Sequence, residues 1–354
     1  MTVRVAHGPL ATWARACLGA VGVPGDDART VADCLVQTSL WGVDSHGVLR
    51  LTHYLARLTN GSIVADAKPV VTKTGPATAR MDGGDGLGIA HAVRAMAVAI
   101  DMARETGVGI VGVGNSSHCG AMGLYTREAA RQGLIGIAMT HSSSVVVPHG
   151  GKHKYFGTNP ISFAFPREGG EPVCLDMATS QVAWNKVLNA RIEGDTLDHG
   201  LAVDENGEPT TDPGLARAAI ALGGPTYGYK GYGLAFAIEL LCGPLNGMTF
   251  GPRVTGMYDE MEKPRRIGHF LMALDPGRFA GGPLLEATVA QMVADLKTRG
   301  EILFPGEPEL NHEKERRSGG IPIAPVAYAD MGAWSSKLGL KPPPPLPGQP
   351  DSSA

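Results

Sequence analysis

Between Val70 and Met177 the chain alternates short runs of β-branched and apolar residues with helical segments, and this alternation restricts its fold more than any other feature. Val70–Thr74 and Ala77–Asp82 predict strands on either side of a Gly75-Pro76 turn. A helix is expected over His91–Thr106, a strand over Val108–Val113, a helix over Leu124–Arg131 stopped by Gly133, and a strand over Leu134–Thr140. Ser162–Phe165, Pro172–Met177 and Ile267–Leu274 add further strands. Strands spaced by helices bury their apolar faces by packing the helices on a sheet, so the core is of the α/β class.

The flanks read differently. Helices are expected over Leu10–Leu18, from Asp26 or Asp27 to Trp41 with Ala28, Val31, Ala32, Leu35 and Val36 on one face, and over Val48–Leu58 before the Asn60-Gly61 turn. Lys230–Leu241 predicts an apolar helix. Leu284–Arg299 predicts a periodic one with Leu284, Leu285, Val289, Met292, Val293 and Leu296 as a buried stripe. The tail over 341–354 contains PPPPLPGQP and is expected to be extended and mobile.

Composition narrows the function classes. With 43% apolar residues and 49 glycines among 354, the chain can bury a sizeable core joined by tight turns. A net charge of -3 leaves no footprint for nucleic acid, and the short basic patches at Arg265-Arg266 and Lys314–Arg317 read as solvated surface. Cys17, Cys34, Cys119, Cys174 and Cys242 are odd in number and lack C-x-x-C spacing, which argues against a disulfide framework or structural zinc and for a reducing, cytoplasmic setting. No signal-peptide pattern opens the sequence and no run of 18 apolar residues occurs, so neither secretion nor a membrane span is expected.

A dinucleotide fingerprint is missing. Gly112-Val113-Gly114-Asn115-Ser116-Ser117 lacks the third glycine of G-x-G-x-x-G, and no acidic residue ends a strand about 20 residues on; Gly84–Gly88 also breaks the spacing. The doubly wound fold is therefore rejected. Polar loops nonetheless follow several strands. Asp44–Arg50 places Ser45 at a helix start, where free N–H groups favour an anion, and sets His46 and Arg50 four apart on one helix face. The same residues also read as a capping histidine and a surface arginine. Asn115–Gly120 puts His118 at a strand end, as an acid/base or as a core histidine. His141–Ser144, Gly157–Pro160, Asp176–Ser180 ahead of Lys186, and Gly228–Gly233 around Lys230 complete the set. The histidines His46, His118, His141, His149 and His153 lack metal-ligand spacing, and no metal is expected.

Seven segments in order, DSHGVLR, NSSHCGAMG, FGTNPISFAFP, LDMATS, AWNKVLNAR, YKGYGLA and FPGE, resemble the malate/L-lactate dehydrogenase family of the non-Rossmann type over roughly Leu10–Pro322. The resemblance implies a non-Rossmann, L-sulfolactate dehydrogenase-like α/β (α+β) fold. A helical domain would comprise 1–70 plus 284–340, and a central mixed-sheet NAD(P)-binding and catalytic domain 71–283. It also implies a homodimer with the active site near the subunit interface, a small carboxylate substrate, and NAD or NADP as cofactor, NAD being favoured. By motif, His118 resembles the proton acceptor; Ser45, His46 and Arg50 resemble the substrate-side cluster, with Arg50 on the carboxylate; Thr158 resembles a substrate-loop residue. Ser142, Asp176, Met177, Ala178, Lys230, Pro305, Gly306 and Glu307 resemble cofactor-binding positions. At Lys186 the family's cyclic-imine reductases carry an acidic residue; a cation favours a keto or alkoxide oxygen instead. Asn185 stands where a glycine is common. The reaction implied transfers a hydride between a 2-hydroxy or 2-keto acid of malate, lactate, sulfolactate or ureidoglycolate type and the nicotinamide. The alternatives are an NADPH-dependent imine or keto-acid reductase of the same family, and a catalytically silent binding protein.

Overall fold

The computed structural model describes residues 2–347. Strand β1 (Val3–Val5) leads into helices α1 (His7–Ala20), α2 (Gly25–Leu40) and α3 (Leu51–Thr59). The hairpin β2 (Val70–Lys73) and β3 (Thr78–Asp82) is followed by α4 (Gly88–Thr106), β4 (Val108–Ser116), α5 (Gly123–Arg131), β5 (Ile135–Thr140), β6 (Ile161–Phe165) and β7 (Val173–Met177). After α6 (Trp184–Glu193) come three two-residue strands, β8 (Ala202–Val203), β9 (Pro209–Thr210) and β10 (Ala218–Ala219), then α7 (Gly224–Tyr227), α8 (Tyr229–Cys242) and β11 (Ile267–Leu274). Helices α9 (Gly282–Lys297) and α10 (Glu307–Gly319), strand β12 (Ile321–Ile323) and helix α11 (Pro325–Lys337) close the chain.

The principal sheet runs β2-β3-β4-β11-β5-β6-β7. Only β3 and β4 pair parallel; every other neighbour is antiparallel. A doubly wound domain is built on a mostly parallel sheet, so this largely antiparallel one agrees with the missing fingerprint. Glycine explains how α4 lies so close to β4: a Cβ on Gly109 would stand 2.0 Å from the Ala99 carbonyl oxygen. The facing side of α4 is correspondingly small, with Ala92, Ala95, Ala99 and Ala103 buried against Val111 and Val113.

A second core is helical and draws on both chain ends. Leu10, Leu18, Val31, Leu35, Leu51 and Leu55 pack with Ile321, Ile323 and Met331. β1 pairs antiparallel with β12, Val3 opposite Ile323 and Val5 opposite Ile321, which ties the ends together. The predicted face of α2 is buried here as expected.

Several expectations are corrected. The stripe of α9 is not buried: Leu284 and Met292 are 58% and 64% exposed, and no residue of the helix is fully covered. Periodicity reports an apolar face but not what lies over it. Residues 44–50 do not form one helix; Asp44–His46 and Val48–Arg50 are separate 3-10 turns broken at Gly47, which is extended (φ −85°, ψ −152°). The break is enforced by packing, because a Cβ on Gly47 would lie 2.1 Å from Ser39 Oγ, which accepts the Val48 N–H at 2.9 Å. Gly47→Ala is expected to destabilise the fold by about 1–3 kcal/mol through overpacking, read as a lower denaturation midpoint. Of the proline-rich tail, residues 341–347 lie against the helical core: Leu346 N–H donates to Arg4 O at 2.8 Å and Tyr328 Oη to Pro343 O at 2.8 Å. Residues 348–354 lie outside the described residues.

Candidate active site

Strand direction gathers the candidate loops at one end of the sheet. β4 and β5 end there, β11 and β6 begin there, and β7 ends there, since Ile267 pairs with Ser116, His269 with Thr140, and Ile161 with both Met139 and Met177. His118, Ser142, Thr158 and Ala178 therefore leave the sheet on the same side as the residues preceding Ile267.

A polar network lies beneath. Ser116 Oγ stands 2.9 Å from His91 Nδ1 and 2.9 Å from His269 Nε2, and His269 Nδ1 stands 2.8 Å from Thr140 Oγ1. Burial lowers the pKa of His269 to about 3 and that of His91 to about 4, so both are neutral hydrogen-bonding groups that fix the β4 loop.

Above them, His118 Nδ1 lies 2.6 Å from the hydroxyl of Tyr54 on α3, with the Gly120 N–H 3.4 Å away. Tyr54 is buried, and burial raises its pKa, so it stays a phenol. The His46 ring is 5.4 Å from that of His118, and His46 Nδ1 is 2.8 Å from Ser45 Oγ. Burial, then the His46 and Arg50 charges, hold His118 well below the ordinary imidazole range; burial and Arg50 take His46 to about 4. Both rings are neutral at pH 7 and ready to accept a proton.

Arg50 donates through Nε to Ser45 O and through Nη1 to the Tyr258 hydroxyl, and among the described residues it has no carboxylate partner. The two 3-10 turns thus bring Ser45, His46 and Arg50 together with His118, although not by the helical spacing expected. Tyr258 rides on a loop pinned by Arg57 of α3, which is 1% exposed and donates to Gly256 O (3.0 Å), Met257 O (2.9 Å), Met261 O (3.2 Å) and Lys263 O (3.0 Å).

Sequence reasoning missed Tyr54, Arg57, Tyr258 and Arg265. Arg265 was expected in a solvated patch but is 3% exposed; Arg266 beside it is exposed and lies 3.5 Å from Asp85. Arg265 lies two residues before the strand that starts beside Ser116, a place that composition alone does not distinguish from a solvated patch. The other patch divides similarly, with Arg316 8% exposed and bidentate on Asp44, next to Ser45.

The remaining candidates form a band along the outer strands. Ser142 N–H donates to Asn159 Oδ1 at 3.3 Å, and Gly157 allows the contact, since its Cβ would fall 2.2 Å from Ser142 Oγ. Thr158 O accepts from Thr179 N–H at 2.9 Å, which joins this loop to Ala178. Asp176 Oδ2 accepts from Gly123 N–H at 2.7 Å, while Met177 closes β7 opposite Ile161. The Pro305-Gly306-Glu307 turn is docked on β7 through Cys174 N–H to Pro305 O at 2.9 Å, and Glu307 is engaged by Lys297 at 2.6 Å. Lys230 is exposed in the first turn of α8, 5.6 Å from the Tyr227 ring centroid, with no acidic partner among the described residues. The side chain of Lys186 is exposed on α6 and makes no hydrogen bond or ion pair among the described residues. A close-approach glycine and an exposed ammonium without an acidic partner suit a dinucleotide's ribose and phosphate oxygens. Among the described residues no group of three or more His, Cys, Asp or Glu could hold a metal ion.

A seven-stranded mixed sheet with a histidine–arginine site at one end defines an α/β protein outside the doubly wound class. The chain belongs to the malate/L-lactate dehydrogenase family, whose sequence model matches residues 5–332. It is similar to a ureidoglycolate dehydrogenase (NAD(+)) of Escherichia coli, 36% identical over 313 residues, 87% of this chain and 88% of that protein. It is also similar to a (2R)-3-sulfolactate dehydrogenase (NADP(+)) of Chromohalobacter salexigens, 37% identical over 319 residues, 90% of this chain and 94% of that protein. The solved malate dehydrogenase of Entamoeba histolytica superposes with a TM-score of 0.91 at 29% identity, covering 98% of this chain and 100% of that one.

Proposed function

We propose that this chain is an NAD(P)-dependent oxidoreductase that interconverts a small 2-hydroxy carboxylate and its 2-keto acid. The observation that carries this reading is a neutral His118, braced by Tyr54, beside an arginine without a carboxylate partner. Arg50 holds the substrate carboxylate, since its planar fork matches two oxygens. His118 takes the hydroxyl proton on Nε2, while the Tyr54 hydroxyl at Nδ1 orients the ring. His46, held by Ser45, donates to the oxygen as charge develops. Lys186 is a second candidate for that oxygen if α6 closes over the substrate, and Thr158 lines the substrate loop.

Ser142, Asp176, Met177, Ala178, Lys230 and the Pro305-Gly306-Glu307 turn would hold the dinucleotide. When bound, the nicotinamide supplies the acceptor for the hydride leaving the 2-carbon. NAD is favoured over NADP; the two relatives above are named for one each. We place the enzyme in the cytoplasm, supported by five free cysteines. No helix of the described residues is long and apolar enough to cross a membrane. We also propose a homodimer, because the α9 residues Leu284 and Met292 and the α8 residues Phe236 and Leu240 leave apolar faces uncovered in one chain. Sedimentation at twice the 36.9 kDa chain mass is expected; a monomer at micromolar concentration would remove the homodimer.

The functional reading is tested by absorbance at 340 nm with malate, lactate, sulfolactate and ureidoglycolate, their keto acids and a cyclic imine, each with both cofactors. A signal with a hydroxy or keto acid is expected. A signal with the imine alone would move the assignment to an imine reductase, and absence of cofactor binding would overturn the dehydrogenase reading.

A further inference from the structure

One face of α3 carries polar side chains at helical spacing: Arg50 at its N-terminal boundary, then His53, Tyr54 and Arg57 at i+3, i+4 and i+7. Tyr54 reaches His118, and Arg50 is the carboxylate ligand of the reading above. The other two serve a loop. Residues 255–264 lie outside every strand and helix of the described chain, and their backbone is held by one buried side chain. Arg57 Nη2 donates to Gly256 O at 3.0 Å and Met257 O at 2.9 Å, and its Nη1 to Met261 O at 3.2 Å and Lys263 O at 3.0 Å. Asn60 Nδ2 adds a bond to Met261 O at 3.0 Å. Arg57 Nε donates to His53 Nε2 at 3.1 Å, and the His53 ring meets the Tyr258 ring edge-on at 5.5 Å. Burying a guanidinium is costly even when its donors are met. Here it fixes an otherwise irregular loop against the helix that carries Arg50.

The side chain that this loop presents is Tyr258. Its hydroxyl accepts from Arg50 Nη1, and the Arg50 guanidinium carbon lies 6.0 Å from its ring centroid. A phenol that accepts from a cation still has its own O–H to give, and no acceptor for it occurs among the described residues. Of the N–H donors of Arg50, Nε is taken by Ser45 O and one Nη1 hydrogen by Tyr258, which leaves the Nη2 hydrogens and the second on Nη1. Arginine and phenol therefore offer spare donors side by side, and an anionic oxygen satisfies both. No protein carboxylate fills the place. Arg50 forms no ion pair among the described residues, and Glu260 of the same loop accepts from Gly256 N–H at 2.9 Å and from Lys263 Nζ at 2.8 Å. Tyr258 is about half exposed, so a ligand reaches its hydroxyl from solvent.

We infer that Tyr258 is a further substrate-binding residue: its hydroxyl donates to the carboxylate that Arg50 holds, so that a guanidinium and a phenol receive the acid group together, and the loop set by Arg57 forms that wall of the site. This rests on the hydroxy-acid reading above and adds a second donor to its carboxylate position. The carboxylate keeps its charge throughout the reaction, so the Tyr258 bond is made equally in the ground and transition states. It strengthens binding of the acid and leaves the chemical step alone.

The test is Tyr258→Phe in the full-length enzyme, which keeps the ring against His53 and removes only the hydroxyl. With the hydroxy acid that gives the 340 nm signal, KM for the acid is expected to rise about 10- to 100-fold, the usual worth of a hydrogen bond to a charged group. Over the same comparison kcat should stay within about three-fold, because uniform binding is what has been lost, and cofactor affinity should not change. A role confined to bracing Arg50 gives the opposite split: the segment that presents His46 loosens, and kcat falls together with kcat/KM. An unchanged KM, or a loss carried by kcat, would therefore overturn the inference. If the wild type turns over no hydroxy acid, the functional reading fails separately, and the carboxylate position is read by calorimetry with oxamate, in the presence and absence of NADH. Oxamate should bind the wild type about 10- to 100-fold more tightly than it binds Tyr258→Phe. Equal affinities, or no binding to the wild type, would overturn the second donor.

Discussion

His118→Gln is expected to lower kcat by about 10²–10⁴-fold, the usual share of a positioned general base, while cofactor affinity stays near that of the wild type. Glutamine keeps a hydrogen bond toward Tyr54, so the loop after β4 should hold its place; what is lost is the lone pair that receives the hydroxyl proton. Single-turnover absorbance and cofactor titration separate the two effects, and near-normal turnover would remove His118 from the proton step. The pH profile carries a second sign. Burial and neighbouring cations place the His118 pKa well below 6.5 in the free enzyme, so its imidazole is neutral across the neutral range. In the oxidising direction kcat/KM should stay level as pH falls through 6.5, and drop only as pH approaches the depressed pKa. In the reducing direction the protonated ring is needed, so the rate should fall as pH rises. A bound carboxylate stabilises the imidazolium, so the pKa seen in kcat should lie above that in kcat/KM.

Arg50→Met is expected to reduce kcat/KM for the acid by about 2–5 kcal/mol, roughly 30-fold to several thousand-fold, because it removes one partner of a hydrogen-bonded charge pair. Arg50→Lys keeps the charge but not the fork, and should recover only part of the loss. Arg50 also bonds Ser45 O and Tyr258 Oη, so either substitution loosens the segment that presents His46. Unchanged affinity for the acid in Arg50→Lys would remove the carboxylate role.

The core was legible where periodicity and burial coincide. The strands from Thr78 to Met177, the face of α2, and β11 over Ile267–Leu274 follow their patterns because each has buried residues in this chain; β2, exposed at all four positions, forms through its pairing with β3. The same reasoning failed at α9, whose apolar stripe faces outward. It also missed α10, whose polar sequence has little apolar periodicity, and β1 (Val3–Val5) and β12 (Ile321–Ile323), which form only because the chain between them brings them together. At the site, motif spacing found His118, Ser45, His46 and Arg50, whose proximity follows from a strand end and a local turn. It could not find Tyr54 or Arg265, because both reach the site through tertiary contacts. Arg265 was misread for a physical reason: a basic dipeptide before a strand has the same composition whether its side chains face water or are buried.

The most direct measurement of the central claim follows the hydrogen on the 2-carbon. The enzyme is given the preferred hydroxy acid deuterated at that carbon, with oxidised cofactor in ordinary water, and the product nicotinamide is examined by NMR. Deuterium at C4 of the reduced ring, on one face only, together with a slowed single-turnover rate, is the predicted result. Deuterium appearing in the water instead would mean that the carbon hydrogen leaves as a proton, and would contradict hydride transfer with His118 acting on the hydroxyl.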